Sequence, residues 1–262
     1  MNGFEKYSII ITARVNKLIE EEALENNPEW HEVFKNHLLG LQGPKQLVRK
    51  LTPADIRFSK LSSGFFEVND SYYSLLDIEV YIGRFPYGNT GVSKTRYLAY
   101  HMGNYLNEVY ILKERLKSYF TTVGRLYRDD MRIQGILKPL SDFVINGLRG
   151  IIDVRSEHVH KKRIVDENIS RLSTFELIFK NGGKEVHILR NIYDFDYRSI
   201  RKSYKQTIKQ NNEQIKKMLD ACFDILCVVV ANDKRQIKPA ATKKSITRVS
   251  TGSPENPAPG EP

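Results

Sequence analysis

At 262 residues and 40% apolar, the chain is long enough to bury one sizeable core. Its formal charge is +10, from 41 Lys and Arg against 31 Asp and Glu, a balance that favours polyanionic partners. Only two cysteines are present, no signal-peptide pattern opens the chain, and the longest apolar run, Ala221 to Ala231, is broken by Asp224 and far short of the roughly 20 residues a bilayer requires. These features argue against a disulfide framework and a membrane segment and set the expectation of a cytoplasmic protein. Beyond Asn232, six basic residues face three acidic ones, which leaves +7 on residues 1–232, so most of the excess belongs to the folded part.

In chain order, Phe4, Tyr7, Ile11, Val15, Leu18 and Ile19 recur at spacings of three and four and predict an amphipathic helix. Asn27 and Pro28 open a second, carrying Trp30, Val33, Phe34, His37 and Leu41. His31 and Glu32 lack the histidine at position 35 that a zinc-binding helix needs, and no metal or other cofactor is predicted. Thr52, Pro53 and Asp55 predict a short helix, and Asn69 with Asp70 caps a separate apolar element from Tyr72 to Ile82. Gly88 to Thr95 reads G-N-T-G-V-S-K-T, one residue away from a phosphate-binding loop. Ser93 replaces the required glycine, and Pro86 precedes it where a buried strand should lie, so nucleotide binding is a distant third reading.

The clearest periodicity follows. Leu98, Met102, Tyr105, Val109, Leu112, Leu116, Tyr119 and Val123 predict a long helix packed along its length, with its Tyr and Met stripe as core. A charged connection from Arg125 to Arg132 leads to a helix built on Leu137, Leu140, Val144, Leu148, Ile151 and Ile152 and ending at Arg155. Alternation in Phe175–Phe179 and Glu185–Leu189 around Asn181, Gly182 and Gly183 predicts a β-hairpin over residues 175–190. A last helix runs from about Asp194 to Ala231, and residues 233–262, with five of the ten prolines, read as a disordered tail. The expected fold is thus an all-α antiparallel bundle with a small hairpin insertion. Its predicted organisation is an N-terminal helical segment (1–93), a bundle (94–232) and the tail (233–262).

The chemistry-bearing stretch is Arg155, Ser156, Glu157, His158, Val159 and His160, followed by Lys161, Lys162 and Arg163. Arg offers a permanently charged fork for a phosphate, and His titrates nearest neutrality, so the set fits metal-free chemistry on RNA. The same residues also fit the solvated end of a helix. An apolar helix leading into Arg-x4-His within an otherwise helical chain resembles the HEPN superfamily, the nucleotide-binding and ribonuclease bundles of prokaryotic toxin and phage-defence systems, over roughly Lys94 to Ala231.

That resemblance implies a metal-independent endoribonuclease. Arg155 would bind the scissile phosphate, His160 would act as general base toward a ribose 2′-hydroxyl, and Ser156 and His158 would support them. Lys161, Lys162 and Arg163 would contact RNA. It further implies a homodimer with a cleft shared between two copies, and an antitoxin or other defence-system partner. Ser156 stands where the family usually has Asn, Asp or His. In an unbroken helix Arg155 and His160 diverge by about 140°, whereas His158 lies about 60° from Arg155. Either the helix ends or kinks inside the motif or His158 is the histidine that matters. The alternative function is a non-catalytic helical module that binds RNA or a protein through the same basic surface.

Overall fold

The computed structural model describes residues 2–21, 53–84, 91–160, 167–181 and 187–236. They form six helices: α1 (Gly3–Glu21), α2 (Pro53–Gly83), α3 (Lys94–Leu126), α4 (Met131–His160), α5 (Glu167–Asn181) and α6 (His187–Gln236). The all-α expectation holds. The helix expected around Trp30, Lys161 to Arg163, and the tail beyond Gln236 lie outside the described residues.

α3 is the central spine, and the predicted ladder is its buried stripe: Leu98, Tyr105, Val109, Leu112, Leu116, Tyr119 and Val123 are all buried. α2 lies antiparallel along one side of it, with Arg115 donating to the Glu67 carbonyl at 2.9 Å and to Ser71 Oγ at 2.7 Å. At Gly64 an added Cβ would sit 2.8 Å from the Tyr119 ring, so glycine is what lets the two helices approach there. α4 returns antiparallel along the other side. α6 packs on α1 and α2, and buried Asn212 accepts from Tyr105 Oη at 3.2 Å and donates to Glu79 Oε2 at 3.1 Å, tying α2, α3 and α6 together.

α1 closes the bundle against α6. The Phe4 amide donates to Asp220 Oδ1 at 3.3 Å across 216 positions of sequence, and the ring of Phe4 meets Phe65, Tyr72 and Phe223. Tyr7 and Tyr119 share a buried hydroxyl–hydroxyl hydrogen bond, which satisfies two groups that would otherwise lose water without compensation. Burial pushes the pKa of both phenols up, so both stay neutral. One hydrophobic core runs through all six helices.

Four sequence expectations are corrected. Among the described residues the β-hairpin over 175–190 is absent: Phe175 to Asn181 belongs to α5 and His187 opens α6, while 182–186 lie outside the described residues. Phe175 and Phe179 are two apart from Leu177 but four apart from each other. The helical spacing wins because Ile169 and Leu172 extend it backwards into the core, and both Phe rings pack on Tyr193, while Leu177 is left exposed. The separate elements around Pro53 and Tyr72 are one helix, since Phe58, Leu61, Phe65, Val68, Tyr72, Leu75, Ile78 and Ile82 keep a single three-and-four spacing past Asn69 and Asp70. The last helix starts seven residues earlier than Asp194, and α4 continues to His160 instead of ending at Arg155.

Candidate functional site

The antiparallel seam between α3 and α4 brings Arg155 against residues 48 positions earlier in the chain. Its Nε donates to Asn107 Oδ1 at 3.2 Å, and its guanidinium lies 4.0 Å from the Tyr110 ring centroid. Lys113 Nζ sits 4.3 Å from the centroid of the same ring. Asn107, Tyr110 and Lys113 fall three apart, one turn above another, so α3 offers an amide, an aromatic face and an ammonium in a row. Tyr110 helps to hold two cations through its quadrupole, an attraction of order 0.5–1 kcal/mol per cation at an exposed site.

Charge along the seam is only partly neutralised. Glu114 binds Lys113 at 2.7 Å and Lys117 at 3.5 Å. The hydrogen bond from Lys113 does most to hold the Glu114 carboxyl below its usual range. Arg155 is treated differently: among the described residues it makes no ion pair, and its tether is a neutral amide. With Nε engaged, the terminal guanidinium nitrogens remain as a fork suited to a phosphate.

Ser156 is exposed beside it. The backbone of α4 is helical through His160, so the motif contains no helix end, and position 160 lies about 140° round the axis from Arg155. Position 158 lies about 60° away. One uninterrupted helix therefore brings Arg155 and residue 158 to neighbouring faces and separates Arg155 from residue 160.

Asn107, Tyr110 and Lys113 were not singled out by sequence reasoning. The core stripe of α3 draws attention to Tyr105, Val109 and Leu112, while these three sit on its flank, and nothing local announces that Arg155 will meet them.

The loop resembling a phosphate-binding motif is built for another purpose. Ser93, at φ −74° and ψ 153°, caps α3 by accepting from the Arg96 amide at 3.2 Å. Lys94 is paired with Asp194 at 2.8 Å. The Thr95 amide donates to Glu176 Oε1 at 3.1 Å, and Tyr193 donates to the same carboxylate. Carboxylates of the chain itself thus occupy both the lysine and the helix N-terminus, where a nucleotide phosphate would bind. Among the described residues no strand precedes it.

Compared with known protein families, characterised proteins and solved structures, the chain matches none.

Proposed function

We propose that the chain is a metal-independent endoribonuclease of the type its Arg-x4-His segment resembles, acting as a homodimer in a toxin or phage-defence role. The observation that carries this reading is Arg155 itself: half-buried, oriented by Asn107 and Tyr110, and free of any carboxylate among the described residues. A permanently charged fork held by neutral partners keeps its full charge for a phosphate and loses little entropy on binding.

His160 serves as general base, taking the proton from a ribose 2′-hydroxyl, and the alkoxide attacks the adjacent phosphorus. The phosphorus–5′-oxygen bond breaks and the 5′-oxygen takes a proton from water, giving a 2′,3′-cyclic phosphate and a 5′-hydroxyl end. Arg155 stabilises the charge that grows on the phosphoryl oxygens. Within one α4 the two positions lie about 140° apart, so this pairing requires a cleft built from two copies, with Arg155 from one and His160 from the other. Ser156 and His158 support the pair, and Lys161, Lys162 and Arg163 attract the strand.

That separation favours a second reading, a binding module that holds RNA or a protein without cutting it. Purified protein incubated with mixed RNA decides between them. Cleavage that chelator does not inhibit, yielding 2′,3′-cyclic ends and lost in both Arg155→Ala and His160→Ala, is the expected result. Loss in His158→Ala with full activity in His160→Ala assigns the base to His158. Binding with no cleavage in the wild type leaves the module.

A further inference from the structure

The far end of the α3–α4 seam holds a hollow of about 750 Å³ where the last turns of α3 meet the first turns of α4. Its walls carry Arg125, Arg128 and Lys138, with Lys117 already paired to Glu114 at 3.5 Å, and one lining carboxylate, Asp142. Among the described residues Arg125 and Lys138 make no ion pair. Arg128 reaches only its neighbour Asp129, at 3.6 Å with both side chains more than 80% exposed, a contact worth almost nothing.

The frame around these cations is fixed. Gln134 donates to the carbonyls of Gly124 at 2.9 Å and Tyr127 at 3.0 Å, clamping the start of α4 onto the end of α3. A Cβ at Gly124 would lie 3.1 Å from Leu137 Cδ1, so the Leu137 side chain packs tightly over this glycine. Asp130 accepts from the Arg132 amide at 3.0 Å and pairs with its side chain at 3.1 Å, keeping that carboxylate on Arg132. The aromatic residue of the lining, Phe120, is 3% exposed and offers no face for a base to stack on.

We propose that this hollow anchors the phosphate backbone of a single-stranded RNA, about 25 Å along α4 from Arg155, without regard to base identity. The choice of RNA among polyanions rests on the ribonuclease reading; the hollow as an anion site does not. Cations without stacking platforms recognise backbone charge, so binding here is sequence-tolerant and falls with salt.

The test uses a fluorescent 2′-O-methyl oligouridine, which has no hydroxyl to attack and so reports binding whether or not the protein cuts RNA. Anisotropy titrations across a salt series compare wild type, R125Q/R128Q/K138Q and a control of equal charge change on α6, K202Q/K209Q/K216Q, each checked for unchanged helical content. The expected result is affinity about tenfold weaker and a log–log salt slope shallower by about 2 in the hollow variant, at ~0.7 per phosphate contact on a single strand. The control should keep both. Equal losses in the two variants, or no loss in the hollow variant, overturn the proposal. So does poly-glutamate displacing the probe as well as unlabelled oligonucleotide does at equal charge, since the hollow would then fit an acidic protein. Failure of the wild type to cleave unmodified RNA, with the binding pattern intact, refutes the nuclease and leaves the anchor standing.

Discussion

Lys94 and Arg155 both rest against aromatic rings, and they are handled in opposite ways. Lys94 lies 5.5 Å from the Tyr197 centroid and is neutralised by Asp194 at 2.8 Å, beside a second carboxylate, Glu176, that is itself hydrogen-bonded by Tyr193 and the Thr95 amide. Arg155 lies 4.0 Å from the Tyr110 centroid and is held by the amide of Asn107. At the first site the chain supplies its own anions and the charges join α3, α5 and α6. At the second, orientation is supplied without charge, so the positive potential stays open to an outside anion. An aromatic face positions a cation in both cases; the neighbouring acceptor decides whether that cation is structural or available.

The comparison breaks most clearly at Arg155. Arg155→Ala should lower RNA cleavage by about 10² to 10³ while leaving thermal unfolding within experimental scatter, whereas Lys94→Ala should leave cleavage unchanged. Rates measured on one RNA preparation for both variants check this, and equal effects would end the distinction.

Next in size is Tyr193→Phe, which takes from Glu176 its phenolic donor and should cost about 1 to 3 kcal/mol in denaturant unfolding. It also tests a pH dependence. Burial, then the hydrogen bond to Glu176, raises the Tyr193 phenol above its ordinary value of about 10. The folded state therefore favours the neutral hydroxyl. Its stabilisation is fully present below about pH 10 and is lost as the pH rises toward the folded value. Tyr7 and Tyr119 act with the same sign. Melting temperature should fall from pH 9 to pH 11, less steeply in Tyr193→Phe.

Asn107→Asp converts the second site toward the first. A carboxylate on Arg155 should weaken RNA binding about tenfold, an effect that shrinks at high salt as screening shortens its reach. Asp194→Asn makes the reverse change, and because both partners are more than a third exposed it should cost no more than about 1 kcal/mol in unfolding free energy. Should Asp194→Asn cost more than Tyr193→Phe, the pair is stronger than its exposure implies.

What could be read from the residues follows a physical divide. The α3 stripe was legible because its spacing is unbroken and buried on the side it marks. Phe175 to Phe179 was not, because five residues with apolar groups at the first, third and fifth positions satisfy both periods, and only Leu172 and Tyr193 in space choose between them. Arg155 was legible as a charged group following an apolar helical stripe, although the helix does not end there. Its partners were not, since Asn107 lies 48 residues away and an antiparallel register cannot be read from either helix alone. Lys94 shows the converse: a short pattern imitated a phosphate loop, and tertiary partners 81 and 100 residues downstream assign it elsewhere.

The docking of α1 on α6 also sets an order of events during synthesis. Phe4 is made 216 positions before Asp220, the residue that receives its amide. At about 5 to 20 residues per second, the first helix waits roughly 10 to 40 s for the last to emerge. Until then Phe4 and Tyr7, and Phe65 once it is made, lack Phe223, the ring on which all three converge. The nascent chain thus carries an uncovered aromatic cluster until α6 arrives. Messages cut short before α6 should yield protein that aggregates instead of a smaller bundle.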